Sequence, residues 1–271
     1  VQRREKNLWT KKEGGEIIRH WMADNEIHEA QLVATEIRDL LGAYEYHMYN
    51  NFVVLYRTNA QSRVFEEVFM RHGIPYRIVG GIRFYERKEI KDILAYLRVL
   101  QNPNDSVSLL RIVNTPTRKI GGKTLETVSE FSIRHNLSLW NAMLLAGEID
   151  DLSPAKAELI ENFVKLIKEL QELNSEFGAS GMIKHVVSKS GYRKMIDDGS
   201  VEGEARIENI SELISVANKY DQLEAGVSLS IFLEEVSLIS DLDQVEDTDN
   251  AVTLMTVHSA KGLEFDTVFI A

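Results

Sequence analysis

The β-forming signal of this chain is split in two, and that split constrains its fold more than any other feature. Three extended runs, Glu16–Ala23, Asn51–Tyr56 and Pro75–Val79, precede the glycine pair Gly80-Gly81. Helical patterns at Glu26–Leu41 and Gln61–His72 alternate with them. Across residues 82–248 the β pattern almost disappears, and it returns only as Val252–Val257 and Thr267–Ile270. The run NFVVLY at 51–56 is apolar throughout, as a parallel strand buried on both faces would be. A β-α-β-α-β order predicts an α/β layer with a parallel sheet. The late strands are expected to resume the sheet that pauses near Gly81. A chain stopping inside an apolar strand is expected to be part of a longer protein.

The helices of the first stretch carry their own punctuation. Ile27, Ala30, Val33, Ala34, Ile37 and Leu41 share one face, with Asp24 or Asn25 placed to cap it, and Gly73 sits where the second helix should end. The middle of the chain is helical by periodicity at Arg87–Leu100, Ser106–Val113, Lys123–His135, Gly181–Ser190, Ala205–Tyr220 and Ser228–Ser240. A long helix opens at Ser153-Pro154, an N-cap followed by an N1 proline. Asp241–Asn250 reads as an acidic linker. The expected organisation is therefore a sheet-bearing domain made of 1–81 and 249–271, interrupted by a helical insertion at 82–248.

Composition removes several function classes. Without cysteine there is no disulfide, thiol nucleophile or Cys-type zinc site. No apolar run approaches the roughly 20 residues that span a bilayer, so no membrane partner is expected and a cytoplasmic location fits. The net charge of −11 argues against a simple basic nucleic-acid binder. The charge is uneven, however: Arg83–Lys123 holds nine Lys/Arg against four Asp/Glu. That excess is either a set of solvated helix faces or a phosphate-facing surface. Neither H-E-x-x-H nor G-x-S-x-G occurs.

Three polar constellations remain. In the first, Arg57-Thr58-Asn59 lies where a buried strand gives way to a helix, so backbone N–H groups beside Arg57 and Asn59 could hold an anion. The same residues also suit a plain strand-to-helix turn, with Asn59 as N-cap and Arg63 in a surface pair. The second is Asn114–Thr124, ending in Gly121-Gly122-Lys123-Thr124. It is no P-loop: Thr117 stands where G-x-x-x-x-G-K-[ST] needs its first glycine, and no buried strand leads into it. It reads as a basic, glycine-kinked loop suited to a nucleic-acid backbone, or as a helix–helix turn with solvated Lys119 and Lys123. The third is His258-Ser259-Ala260-Lys261-Gly262-Leu263-Glu264, between the two late strands. There, His258 and Lys261 could meet phosphates, Gly262 could admit close approach, and Glu264 could accept from sugar hydroxyls. A β-turn with a structural histidine is the alternative.

Taken together, these segments resemble the UvrD/PcrA/Rep family of superfamily 1 DNA helicases. LYRTNAQSRVFEE resembles that family's motif IV, and VTLMTVHSAKGLEFDTVFIA its motif V. IVGGIRFYERKEIKDILAYLRVLQNPND and NTPTRKIGGKTL resemble the entry to its second accessory subdomain. The resemblance spans essentially the whole chain and implies a partial RecA-like second motor domain interrupted by a mainly α-helical insertion. It also implies roles. Arg57, Asn59 and His258 would hold single-stranded DNA, while Lys261 would couple strand to nucleotide. Glu264, with Gly262, would bind ATP. Gly121, Thr124, Lys119 and Lys123 would contact duplex DNA. Lys119 stands where the family often has the first glycine of Gly-Ile-Gly, and Asp266 replaces a common proline.

The implied parent is an ATP-dependent 3′-to-5′ helicase using ATP and Mg²⁺, serving repair or replication, with protein partners possible at the insertion. The Walker A loop, the Asp-Glu magnesium box and the arginine-bearing final motif are not in this sequence. No catalytic residue and no metal ligand is therefore assigned, no bound cofactor is expected, and this chain alone is expected to be inactive. A rival role is a docking and autoinhibitory module; a nuclease-fused relative is a third.

Overall fold

The computed structural model describes residues 14, 16–44, 47–242 and 249–271. Helix α1 (Glu26–Ala43) starts at Asn25, whose side chain accepts from the His28 N–H and satisfies one of the four orphan donors at the helix start. Ala30, Val33, Ala34 and Ile37, spaced at three and four residues, form its buried face, while Ile27 stays half-exposed. Strand β1 (Phe52–Tyr56) leads through a short 3₁₀ turn at Asn59–Gln61 into α2 (Ser62–Arg71). Gly73, at φ +65°, ends that helix in the left-handed conformation that glycine adopts without a Cβ penalty. Strand β2 (Tyr76–Val79) follows.

The helical residues then run from α3 (Lys88–Gln101), α4 (Ser106–Ile112) and α5 (Gly122–Arg134) to α6 (Leu139–Leu144) and α7 (Pro154–Leu173). Next come α8 (Ala179–Lys189), α9 (Tyr192–Ile196), α10 (Val201–Asn218) and α11 (Ala225–Leu242). Strands β3 (Val252–Thr256) and β4 (Thr267–Ile270) close the sheet.

The four strands are parallel, in the order β2-β3-β1-β4. Val53 lies opposite Thr253 on one side and Val268 on the other, and Tyr76 lies opposite Val252. The chain thus leaves the sheet after β2, completes the helical excursion, and inserts β3 between the two strands it made first. β3 is buried along almost its whole length, as a central parallel strand must be.

Two apolar clusters form. One joins β1 and β3 with α1 and α2, through Phe52, Val54, Tyr56, Phe65, Phe69, Val252 and Leu254. The other spans the helical residues, through Phe84, Ile93, Tyr96, Leu97, Phe163, Met182 and Phe232. Each fully buried large side chain contributes about 1.5–3 kcal/mol. Among the described residues no helix is long and apolar enough to cross a membrane.

Several boundaries differ from expectation. Glu16–Ala23 forms no strand: Ile17 and Ile18 are exposed, and Trp21 stacks on Phe269 at 6.1 Å without joining a ladder. A strand exists only through pairing, and this segment takes no partner beside β4. The acidic linker begins later than expected, because α11 continues through Leu242, and residues 243–248 lie outside the described set. Helices α6 and α9 escape periodicity because they are only one to two turns long. Helix α8 starts two residues early because remote side chains cap it: Ser228 Oγ accepts from the Ala179 N–H at 2.9 Å, and Asp221 accepts from the Ser180 N–H at 3.1 Å.

Candidate nucleic-acid interface

In a parallel sheet all strands point one way, so the carboxyl ends of β1, β2 and β3 share one edge, the usual place for a ligand in such folds. Three turns meet there. From β1 comes Arg57, from β3 comes His258, and one Arg57 Nη lies 3.0 and 3.2 Å from the two ring nitrogens of His258. Only one ring nitrogen can accept, so most of the five guanidinium N–H groups stay available for another acceptor. Both residues are exposed, as is Asn59.

From β2 comes Gly80, at φ +73°, where a Cβ would stand 3.0 Å from Ser259 Oγ. At Gly81 a Cβ would stand 3.4 Å from Asn59 Oδ1. Ser259 is tied back to β3, its Oγ 2.9 Å from Thr256 Oγ1. Gly80, with its positive φ and its tight approach to Ser259, therefore lets the ends of β2 and β3 close up beside Arg57, Asn59 and His258.

The backbone contributes less to anion binding here than the sequence suggests. Both the Arg57 and Thr58 N–H groups donate to Gln61 Oε1 at 2.9 Å, so the turn consumes these two donors itself. What remains for a phosphate is mainly side-chain chemistry. Nor does Asn59 act as an N-cap. Its carbonyl accepts from Ser62 Oγ at 2.9 Å and from Arg87 Nη2 at 2.8 Å.

After His258 the chain makes tight turns, with Ser259 N–H donating to Thr256 O and Leu263 N–H to Ala260 O, each at 3.0 Å. Gly262 takes φ +87°, and Lys261 and Glu264 are exposed. The loop descends to Asp266, which accepts from Asn51 Nδ2 at 2.6 Å, just before β1 begins. Lys261, Gly262 and Glu264 therefore belong to a connection running from the carboxyl edge of the sheet back to its amino edge. An exposed carboxylate at Glu264 suits an acceptor for ribose hydroxyls. Among the described residues no three His, Asp or Glu side chains gather in a way that could hold a metal ion.

The Asn114–Thr124 loop lies on the helical cluster. Asn114 Oδ1 accepts from the Arg118 N–H at 2.8 Å and from the Ile120 N–H at 3.3 Å, and Ile120 is buried as an anchor. Gly121, Gly122 and Lys123 are exposed at the start of α5, whereas Thr124 is buried and could offer mainly its backbone. No strand precedes this GGKT, in keeping with the rejection of a P-loop.

Comparison with known proteins decides the family. The model of the UvrD-like helicase C-terminal domain matches residues 1–271. The chain belongs to the UvrD-like helicase family. The ATP-dependent DNA helicase PcrA of Staphylococcus epidermidis is 43% identical over 275 residues, covering 99% of this chain and 37% of that protein. PcrA of Staphylococcus aureus matches to the same extent, with 43% identity over 275 residues. The chain thus spans little more than a third of the length of these curated relatives.

Within this UvrD-like frame, the departure at Lys119 acquires a physical description. Lys119 adopts φ +62°, the left-handed conformation that favours glycine, and its carbonyl accepts from Lys156 Nζ at 2.8 Å. The lysine holds the turn a glycine would make and adds a charge to it.

The basic excess of Arg83–Lys123 is in part internal. Arg87 is buried among hydrogen-bond acceptors. Arg111 pairs with Asp92 at 2.8 Å. Arg118 donates to the carbonyls of Ile112, Val113 and Pro116 and packs over the Phe163 ring. Arg87 and Arg118 are thus spent inside the fold, whereas Arg111 is ion-paired but still exposed. Arg63 is likewise no surface pair: it is buried between Glu67 at 2.9 Å and Glu212 at 2.6 Å. Sequence reasoning missed Gly80, Gly81, Ser259 and Arg87 as parts of the site's construction. The left-handed Gly80 was signalled only by a glycine pair at a strand end, and Arg87 carried no sequence signal at all.

Proposed function

We propose that this chain supplies the single-strand grip of an ATP-driven 3′-to-5′ DNA helicase and part of its second motor domain. The observation that carries the proposal is the meeting of Arg57 and His258, 201 residues apart in sequence, beside Asn59 at the carboxyl edge of the sheet. The first proposed role for this trio is to hold phosphates without reading bases, which makes binding strongly salt-dependent. Lys261 couples the strand to the nucleotide, and Gly262 and Glu264 meet the ATP ribose. Gly121, Thr124, Lys119 and Lys123 touch the duplex. Residues 1–81 and 249–271 form the motor portion and 82–248 the insertion, a division supported by the two separate apolar clusters.

ATP, when bound, supplies the driving force through phosphoryl transfer, which requires a P-loop lysine, a metal and a stabilising arginine. No such set is found in this sequence, so the chain by itself is proposed to hydrolyse no ATP. DNA-stimulated phosphate release by the purified chain, lost on Glu264→Ala, would refute that. The grip is tested by fluorescence anisotropy with a labelled oligothymidylate. Arg57→Ala and His258→Ala should each weaken binding, and Arg57→Ala should lower the salt slope by about one. Unchanged affinity in both variants would sink the proposal.

A further inference from the structure

Arg87 joins the two apolar clusters through one buried guanidinium. It is 6% exposed. Its Nε donates to Ile82 O at 3.1 Å, and Nη1 donates to Asn209 Oδ1 on α10 at 2.7 Å. Nη2 donates to Asn59 O and to Ser62 Oγ, each at 2.8 Å. Asn209 is itself fixed, its Nδ2 donating to Glu89 Oε1 at 2.5 Å. Two short hydrogen bonds therefore run from the helical block to the carbonyl of Asn59, the residue between the end of β1 and α2. Burial lowers the Arg87 pKa, against the opposing pull of Glu66 and Glu89, and a guanidinium still keeps its charge. A buried charge in this position tolerates little loss of its acceptors.

We propose that Arg87 and Asn209 are positioning residues for the single-strand grip, bracing the turn that presents Asn59 from within the helical block. The inference rests on the assignment of Asn59 to strand binding. Without the Asn209 acceptor, one Arg87 donor is left buried and unpaired, and the guanidinium must turn toward other acceptors to satisfy it. Asn59 O then loses its donor from across the seam and keeps only those of Ser62, in its own turn. The helical block thereby sets how well the strand is held without touching it.

The test is a double-mutant cycle on oligothymidylate affinity in the full-length protein, with thermal unfolding recorded for every variant. Asn209→Ala should weaken binding about three- to tenfold, and this loss should vanish in the Asn59→Ala background. Asn209→Asp also gives up the bond to Glu89 but keeps an acceptor for Arg87, so it should retain affinity even with a lowered Tm. If Asn209→Ala does not fold, Arg87→Lys takes its place in the cycle with the same expected loss. Additive losses, or equal losses in Asn209→Asp and Asn209→Ala, would make the residues merely structural and overturn the proposal. A neutral Asn209→Ala beside a weakened Asn59→Ala overturns the bracing alone. Unchanged binding in both Asn59→Ala and Arg57→Ala removes the grip itself, and the bracing with it.

Discussion

Lys119→Gly should make the protein more stable while weakening its hold on duplex DNA. Lys119 sits at φ +62°, where the Cβ of an L-residue crowds the following carbonyl. That conformation costs roughly 1–2 kcal/mol, whereas glycine loses about 0.5–1 kcal/mol more backbone entropy than alanine on folding, leaving a net gain of about 0.5–1 kcal/mol. The contacts of the turn survive the change, because Lys156 bonds the residue-119 carbonyl and Asn114 holds the backbone on either side. For a chain of this size the gain corresponds to a Tm rise of about 1–4 °C. Lys119→Ala is the control: it removes the same charge but keeps the Cβ, so its Tm should match the parent. In anisotropy with a DNA hairpin, both variants should weaken binding, and the slope of log K against log salt should fall by about one. A Lys119→Gly protein no more stable than Lys119→Ala would show that the backbone of this turn carries no cost, and the reasoning would fail.

Three further outcomes can be measured by unfolding. Arg63→Ala should destabilise by about 3 kcal/mol or more, because it strands Glu67 and Glu212 without their cation, while Arg63→Met together with Glu212→Leu should cost much less. Gly203→Ala should cost about 1–3 kcal/mol in urea denaturation, since a Cβ there would lie 2.6 Å from the Ile196 carbonyl oxygen. At Glu235, burial pushes the pKa up, but hydrogen bonds from Tyr220 and Lys219 and the charges of Lys219 and Arg71 outweigh it, so the net shift is downward. Stability from Glu235 is thus complete above its ordinary pKa and lost as pH falls through the lower folded value; Glu235→Gln should flatten the acid limb of the stability profile.

The elements most legible in the sequence were those whose signal is local. The α1 face shows in the spacing of Ala30, Val33, Ala34 and Ile37, and β1 in an unbroken apolar run. β4 likewise matches its expected limits, Thr267–Ile270. Strand order was not legible: nothing local in Val252–Thr256 says that it inserts between β1 and β2 rather than extending the edge. Arg57, Asn59 and His258 could be named as candidates, but their meeting depends on that insertion. The misread segment, Glu16–Ala23, illustrates the converse, since β propensity is expressed only where a neighbouring strand offers a ladder. Helix α6 was missed because six residues are too few for periodicity to register; the structure shows it capped by Ser138, whose Oγ accepts from the Asn141 N–H at 3.2 Å.

The seam between the two apolar clusters explains why one chain can keep both of them without fusing them. Arg63, Glu66, Glu67 and Arg71 follow helical spacing along α2, and each reaches toward the helical residues. Arg63 meets Glu212, Glu66 accepts from the Phe84 N–H, Glu67 accepts from the Tyr85 hydroxyl, and Arg71 lies 3.5 Å from Glu235. An apolar face at these positions would bury more area and would tolerate many relative rotations, because hydrophobic contact is non-directional. Charged and hydrogen-bonded groups add little net stability once desolvation is counted, but each has one geometry in which it is satisfied. The seam therefore fixes orientation more than it supplies strength. Arg87 lies in the same seam and shares its logic: a misplaced helical block would leave its donors unpaired at Asn209 before any apolar contact was lost, and the first group to feel this across the seam would be the Asn59 turn.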